Sequence, residues 1–343
     1  MPEHMSELLP IDRLLPWLQD NVPGFAGPVT AQKFATGQSN PTFVLSAASG
    51  KYVLRRKPPG VLLKSAHAVD REYRVQRALR NSDVPVAAMH ALCEDEAVIG
   101  AMFYVMDYVP GRNFLDPRLP ELSPTERAAV INDMNRVLAA LHSVRIDAVG
   151  LADFGPPGNY YERQLSRWAK QYHASETGKI ADMDALISAL TNRMPADDGQ
   201  RTLVHGDYRI DNMVFAEDGT ECRAVLDWEL STIGHPFADL AAVIMQWSMP
   251  PGPEGRGLAG VDRGAHGLPT DDAFIAQYCA RRGLDGITDF GFYLAFAFFR
   301  MGAILQGVKR RALDGNASNP ERGLKLGEYV PVFAAKGLEA LRG

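Results

Sequence analysis

One stretch constrains this chain more than any other: His205-Gly206-Asp207-Tyr208-Arg209-Ile210-Asp211-Asn212. It is followed by the apolar run Met213-Val214-Phe215, a turn at Asp218-Gly219, and a second run, Ala224-Val225-Leu226, that ends in Asp227-Trp228. Two short apolar runs around a turn read as a hairpin. Asn212 stands just before its first strand and Asp227 just after its second, so the hairpin is expected to bring these two and Asp207, five residues upstream of Asn212, to one edge. A carboxylate, an amide and a second carboxylate in this order are what phosphoryl transfer from a magnesium nucleotide requires. Asp207 can accept the proton of an attacking hydroxyl, while Asn212 and Asp227 offer hard oxygen ligands to Mg²⁺. A surface turn of solvated aspartates needs neither this order nor this spacing.

The rest of the chain is long enough to build such a site. Its 343 residues are enough for two lobes, and 46% apolar with 22% charged residues is ordinary for a globular protein. A net charge of −5 argues against a nucleic-acid binder that neutralises phosphates over its whole surface. Cys93, Cys222 and Cys279 are scattered, so neither a disulfide framework nor a zinc site is indicated and a cytoplasmic location is expected. Residues 290–308 form the longest apolar stretch, but Arg300 and Gln306 interrupt it, and it reads as a buried helix with no membrane partner expected.

Phe43-Val44-Leu45 and Tyr52-Val53-Leu54, around Ala48-Ser49-Gly50, carry a hairpin signature, and residues 66–79 show a helical pattern. Residues 102–109 read as extended and end at Pro110-Gly111. Beyond that point Ser123-Pro124-Thr125-Glu126 opens a helix with a capping box. Further helices are predicted around 160–173, 182–193, 238–247, 271–282 and 290–312, with strands returning only at 202–204, 213–215 and 224–226. The Gly/Pro-rich residues 249–268 read as a mobile surface loop with little to bury. The fold class is therefore α+β, with a small β-rich N-lobe (residues 1–109) and a larger helical C-lobe (residues 110–343).

H-G-D-x-x-x-x-N followed by L-D-W resembles the catalytic and metal-binding loops of the aminoglycoside phosphotransferase and choline kinase-like family, which shares the two-lobed protein-kinase fold. That resemblance implies ATP and Mg²⁺ as cofactors and a small hydroxylated molecule as acceptor. It also implies roles for residues upstream. Gly37-Gln38-Ser39-Asn40 is similar to the loop that covers the phosphates, although it has a single glycine. Arg55 takes the place of the strand cation that grips the phosphates, usually lysine in the family, and Glu72 takes the place of its partner on the following helix. Met106, Asp107 and Val109 match the hinge: backbone groups near Asp107 and Val109 would pair with the adenine edge, and Met106 would line the back of the pocket. Gly234-His235-Pro236-Phe237-Ala238-Asp239 resembles the family's G-D-P-x-x-D segment, in which the acid braces the catalytic loop.

Residues 37–42, 53–60 and 65–72 are similar to one subgroup, the phosphotransferase domains fused to or encoded beside acyl-CoA dehydrogenases. This implies a hydroxyacyl acceptor and a functional association with an acyl-CoA dehydrogenase, while the sequence is expected to form a single two-lobed kinase-like unit without a flavin domain. The alternative is a nucleotide-binding pseudokinase or regulatory module without turnover, suggested by the missing lysine and the reduced glycine loop. A metal hydrolase using His205, Asp207 and Asp211 is weaker, because no second histidine cluster accompanies them. Glu229 can orient metal-bound water or face solvent. Arg300 is expected to pair with a buried carboxylate or to face the substrate, and Arg209 and Asp211 to position substrate or each other. Nine Lys or Arg between residues 51 and 80, against Asp70 and Glu72, gather positive charge where nucleotide phosphates are expected.

Overall fold

Alternation along neighbouring strands decides where the first charges go. The computed structural model describes residues 9–34, 40–58, 68–317 and 319–343. Strands β1 (Val29–Lys33), β2 (Thr42–Ala47), β3 (Gly50–Arg56), β4 (Met89–Cys93) and β5 (Phe103–Asp107) form one antiparallel sheet in the order β1-β2-β3-β5-β4. The hairpin around Ala48-Ser49-Gly50 pairs Phe43 with Leu54 and Leu45 with Tyr52. These four side chains, with Phe103 and Val105, pack against Leu14 and Leu18 of α1 (Ile11–Asn21). The opposite face, with Val53, Tyr104 and Met106, packs against Val69 and Tyr73 of α2 (Val69–Leu79). Because successive strand residues alternate between faces, Arg55 shares the α2 face with Val53, while Arg56 points to the α1 face and is buried.

The chain divides into two compact units. The first gathers the chain up to Asn113 with residues 148–151 and 212–231; the second comprises Phe114–Asp147, Ala152–Asp211 and Thr232–Gly343. A single boundary between residues 109 and 110 therefore does not describe the division. The hairpin of β7 (Met213–Phe215) and β8 (Cys222–Val225) forms a two-stranded sheet of its own within the first unit. The physical cause is a set of backbone bonds: Arg112 and Phe215 exchange two N–H···O=C bonds of 2.8 Å, and Val225 N–H donates to Pro85 O at 2.9 Å.

The second unit is helical apart from β6 (Thr202–Val204) and β9 (Thr232–Gly234), which pair with each other. Its helices are α3 (Pro124–Ser143), α4 (Tyr160–Ala174), α5 (Ala181–Asn192), α6 (Phe237–Trp247), α7 (Asp271–Arg282), α8 (Phe290–Leu313), α9 (Pro320–Gly327) and α10 (Val330–Ala340). Helix α8 is long and apolar enough to cross a membrane by length and composition, yet 61% of that apolar window is buried within this unit. Phe292, Tyr293 and Phe296 of α8 surround the Tyr161 ring of α4. Residues 249–268 are not the loosely held loop that their composition suggests. Met249, Leu258 and Leu268 are buried, and backbone bonds from Leu258 to Trp247 and from Ala259 to Met249 tie the loop to the end of α6. Composition reports how freely a backbone can turn, and says little about whether distant side chains anchor it.

The capping box at α3 forms as predicted. Ser123 Oγ accepts from Glu126 N–H at 3.4 Å, and Ser123 N–H donates to Glu126 Oε2 at 2.8 Å. Ser123→Ala should lower stability by about 1 kcal/mol in urea unfolding, and an unchanged midpoint would remove the cap from the forces that hold α3.

Candidate active site

In the first unit the site is built around one buried guanidinium. Arg55 Nε lies 2.9 Å from Glu72 Oε2, an ionic contact without the alignment of a hydrogen bond. Its Nη2 donates to Asp227 Oδ1 at 2.7 Å and lies 3.7 Å from Glu229 Oε2. Three anionic side chains thus share one cation. Burial works against the charge on Arg55, but Glu72 and Asp227 outweigh it and push its pKa up.

Glu72 is 1% exposed and is satisfied from two further directions. Asn40 Nδ2 donates to Oε1 at 2.7 Å, and the Tyr104 hydroxyl donates to Oε2 at 3.0 Å. Tyr104 stands directly across from Arg55 in the β3–β5 register, which brings both to the same carboxylate. Burial lifts Glu72 to about 7, with Arg55 and the Tyr104 hydroxyl pulling the other way. The basic residues nearby are partly spent on structure: Arg74 donates to Gly150 O at 2.9 Å, and Arg71 to Ser231 O at 3.4 Å.

The hairpin brings Asn212 and Asp227 to one end, as its pattern predicts. Met213 pairs with Val225, and Leu226 N–H donates to Asn212 O at 2.8 Å. Asp227 adopts a left-handed backbone, φ 63°, at the entry to the turn Trp228–Leu230. One carboxylate and one amide oxygen are a hard-oxygen donor set that suits Mg²⁺. At the hinge, Met106 is buried and Asp107 N–H donates to Ala88 O. Among the described residues the Val109 N–H has no backbone partner. Asp107 Oδ1 also meets His90 Nε2 at 2.6 Å. Gly37, Gln38 and Ser39 lie outside the described residues.

In the second unit the loop after β6 carries Asp207. Gly206 has φ 85°, a left-handed conformation that glycine adopts without strain. Asp239 of α6 holds the loop through both oxygens: Oδ2 accepts His205 N–H at 2.7 Å, and Oδ1 accepts Gly206 N–H at 2.8 Å. Burial alone would lift Asp239, but His142 and the loop amides hold it below the usual carboxylate range. His142 is fully buried between Asp239, at 3.3 Å, and the Tyr278 hydroxyl, at 2.7 Å. Since a carboxylate only accepts, neutral His142 donates through Nε2, and Nδ1 accepts from Tyr278. The Tyr208 hydroxyl donates to Met134 O at 2.7 Å, and Arg300 Nη2 donates to Gly206 O at 3.0 Å while its guanidinium lies over the Trp168 ring. Arg300 thus braces a carbonyl of the loop, where pairing with a buried carboxylate was one expectation for it. Arg209 and Asp211 do position each other, with Nη2 and Oδ2 3.2 Å apart, and Arg209 Nε lies 3.2 Å from Asp207 Oδ1.

Sequence reasoning missed Tyr104, His142 and Arg256 as members of these networks. Only Tyr104 left a trace beforehand, as a polar tip in an apolar strand.

A cation held by a helix glutamate, a glycine-preceded aspartate and a hairpin presenting an amide and a carboxylate define a kinase-like phosphotransferase fold. The phosphotransferase enzyme family model matches residues 30–283. The chain is 46% identical over 294 residues to mouse acyl-CoA dehydrogenase family member 10, covering 85% of this chain and 27% of that protein. It is also 46% identical to a Ralstonia eutropha protein of known crystal structure, provisionally assigned as an aminoglycoside phosphotransferase, with a TM-score of 0.89 covering 96% of this chain and 98% of that one. The hygromycin phosphotransferase APH(4)-Ia, as a thermostable mutant with ADP and hygromycin B, shares the fold at 16% identity, with a TM-score of 0.62 covering 96% of this chain and 98% of that one. The chain belongs to the phosphotransferase enzyme family. It spans only 27% to 44% of the length of the curated relatives it matches first.

Glu72 has a consequence for stability. Its pKa in the folded state lies above the ordinary 4.5, so between those values the folded chain holds a proton that the unfolded chain has lost. Its contribution to stability therefore falls as pH rises toward about 7. Urea unfolding at several pH values should show this fall in the native chain and lose it in Glu72→Gln; equal slopes would place Glu72 in the ordinary range.

Proposed function

We propose that this chain is a small-molecule kinase that transfers the γ-phosphoryl group of ATP to a hydroxyl, with Mg²⁺ as cofactor. The observation that carries the reading is the catalytic loop: Asp207 follows a left-handed glycine whose own amide, with that of His205 before it, is held by Asp239. Asp207 is one-third exposed and accepts the proton of the attacking hydroxyl. Asn212 and Asp227 would hold the metal, which when bound offsets charge on the phosphates. Arg55 binds the α- and β-phosphates in forked geometry, kept in place by Glu72. The Val109 N–H and a carbonyl near Asp107 hold the base of the nucleotide.

Support for ATP comes from the fold neighbour with bound ADP. The acceptor is a hydroxyacyl compound, a reading supported by a relative named for an acyl-CoA dehydrogenase family; functional association with such a dehydrogenase and a cytoplasmic location belong to the same proposal. Asp207→Asn should lower kcat by about 10²- to 10⁴-fold with little change in ATP binding. The measurement is ADP release in a Mg-ATP screen over hydroxyacyl-CoAs, hydroxy acids, amino alcohols and aminoglycosides. Full activity in that variant would remove Asp207 from the role of base. ATP binding without ADP release from any acceptor would favour the non-catalytic module.

A further inference from the structure

Asp211 stands next to Asn212 in the chain and four residues after Asp207, yet its carboxylate is not offered to solvent. Its side chain is 10% exposed, and two guanidinium groups meet at the same oxygen. Arg256 Nη1 donates to Oδ2 at 2.7 Å, and Arg209 Nη2 lies 3.2 Å from it. Arg209 also reaches Asp207, so the charges run Arg256, Asp211, Arg209, Asp207 in alternating sign. The proposed base Asp207 and its neighbour Asp211 thereby each meet an internal cation, and Asp211 meets two.

Arg256 does not arrive there by accident of a loose loop. Its backbone is left-handed, φ 48°, a conformation that costs energy in a residue with a side chain. It is held from several sides: Gln246 Nε2 donates to Gly255 O at 2.5 Å and to Arg256 O at 3.3 Å, and Arg256 N–H donates to Gly252 O at 2.8 Å. At Gly257 a Cβ would fall 1.9 Å from Met249 O, so the backbones approach as closely as glycine allows. A small recess of about 20 Å³ adjoins the pair, walled by Leu115, Met134, Val243 and Trp247 and edged by Arg209 and Arg256.

We propose that Arg256 is a specificity-determining residue for the acceptor. It is an internal cation that occupies Asp211 and closes it to cationic amino acceptors, leaving this surface to neutral and anionic hydroxylated molecules. The inference rests on the reading of Asp207 as the base, which makes its surroundings the acceptor side. A polycationic amino sugar seeks carboxylates, and here it must displace a guanidinium tethered to the same chain, hence present at high effective concentration. Without Arg256 the shared oxygen of Asp211 loses the nearer of its two guanidinium contacts, 2.7 Å against 3.2 Å.

The test is binding of neomycin to the intact protein by titration calorimetry, without nucleotide and without turnover. Its outcome is thus separate from that of Asp207→Asn, which tests the assignment of the base. The native chain should bind weakly. Arg256→Ala should bind at least about tenfold more tightly, an effect that shrinks with added salt. Arg256→Lys, which keeps the charge, should behave as the native chain, and Arg256→Ala with Asp211→Asn should lose the gain. If Arg256→Ala melts early, Arg256→Gln carries the comparison. No gain in either neutral variant, an equal gain in Arg256→Lys, or a gain that survives Asp211→Asn would each overturn the proposal.

Discussion

The buried carboxylate of Glu72 is the group on which the first unit depends. It is placed on α2, and it receives Asn40 from just before β2, Tyr104 from β5 and Arg55 from β3. A buried charge is costly unless paired, and removing one partner from such a pair costs about 3–5 kcal/mol. Arg55 then extends the same network to Asp227 and Glu229, at the end of a hairpin far away in sequence. Apolar packing of Val53, Val69 and Met106 brings these elements together, and the ion network decides which side chains meet once they are there.

The second unit solves a different problem with the same means. A short loop must hold a solvent-accessible carboxylate at Asp207 without closing over it, so its backbone is fixed from behind. Asp239 takes two amides, Arg300 takes a carbonyl, and Tyr208 reaches Met134 O. Each bond satisfies a polar group that burial would otherwise penalise, and together they fix the backbone on either side of Asp207 while its side chain stays one-third exposed beside Arg209.

Much of this was legible beforehand, for reasons that can be named. The capping box at Ser123 and the two hairpins depend on residues within a few positions of one another, and local spacing reports them directly. Arg55 and Glu72 could be paired because they match the strand cation and helix glutamate of the family the chain resembles, and the structure places them 2.9 Å apart. Tyr104 could not be assigned, since its contact with Glu72 depends on the β3–β5 register across an intervening helix and strand. Residues 249–268 were misread for a related reason: their anchors lie on α6 and in the catalytic loop, and glycine content carries no information about either.

By itself the sequence determined the order and spacing of the candidate site residues Asp207, Asn212 and Asp227, and the alternation that sends Arg55 and Arg56 to opposite faces of a strand. Those are properties of short windows, where covalent geometry limits the outcomes. Only the tertiary structure decided which charges neutralise which. Arg55 meets Asp227 across 172 residues and Arg256 meets Asp211 across 45. Such pairings follow from strand register and loop anchoring over the whole chain, because a charge leaves water only where packing has already placed its partner.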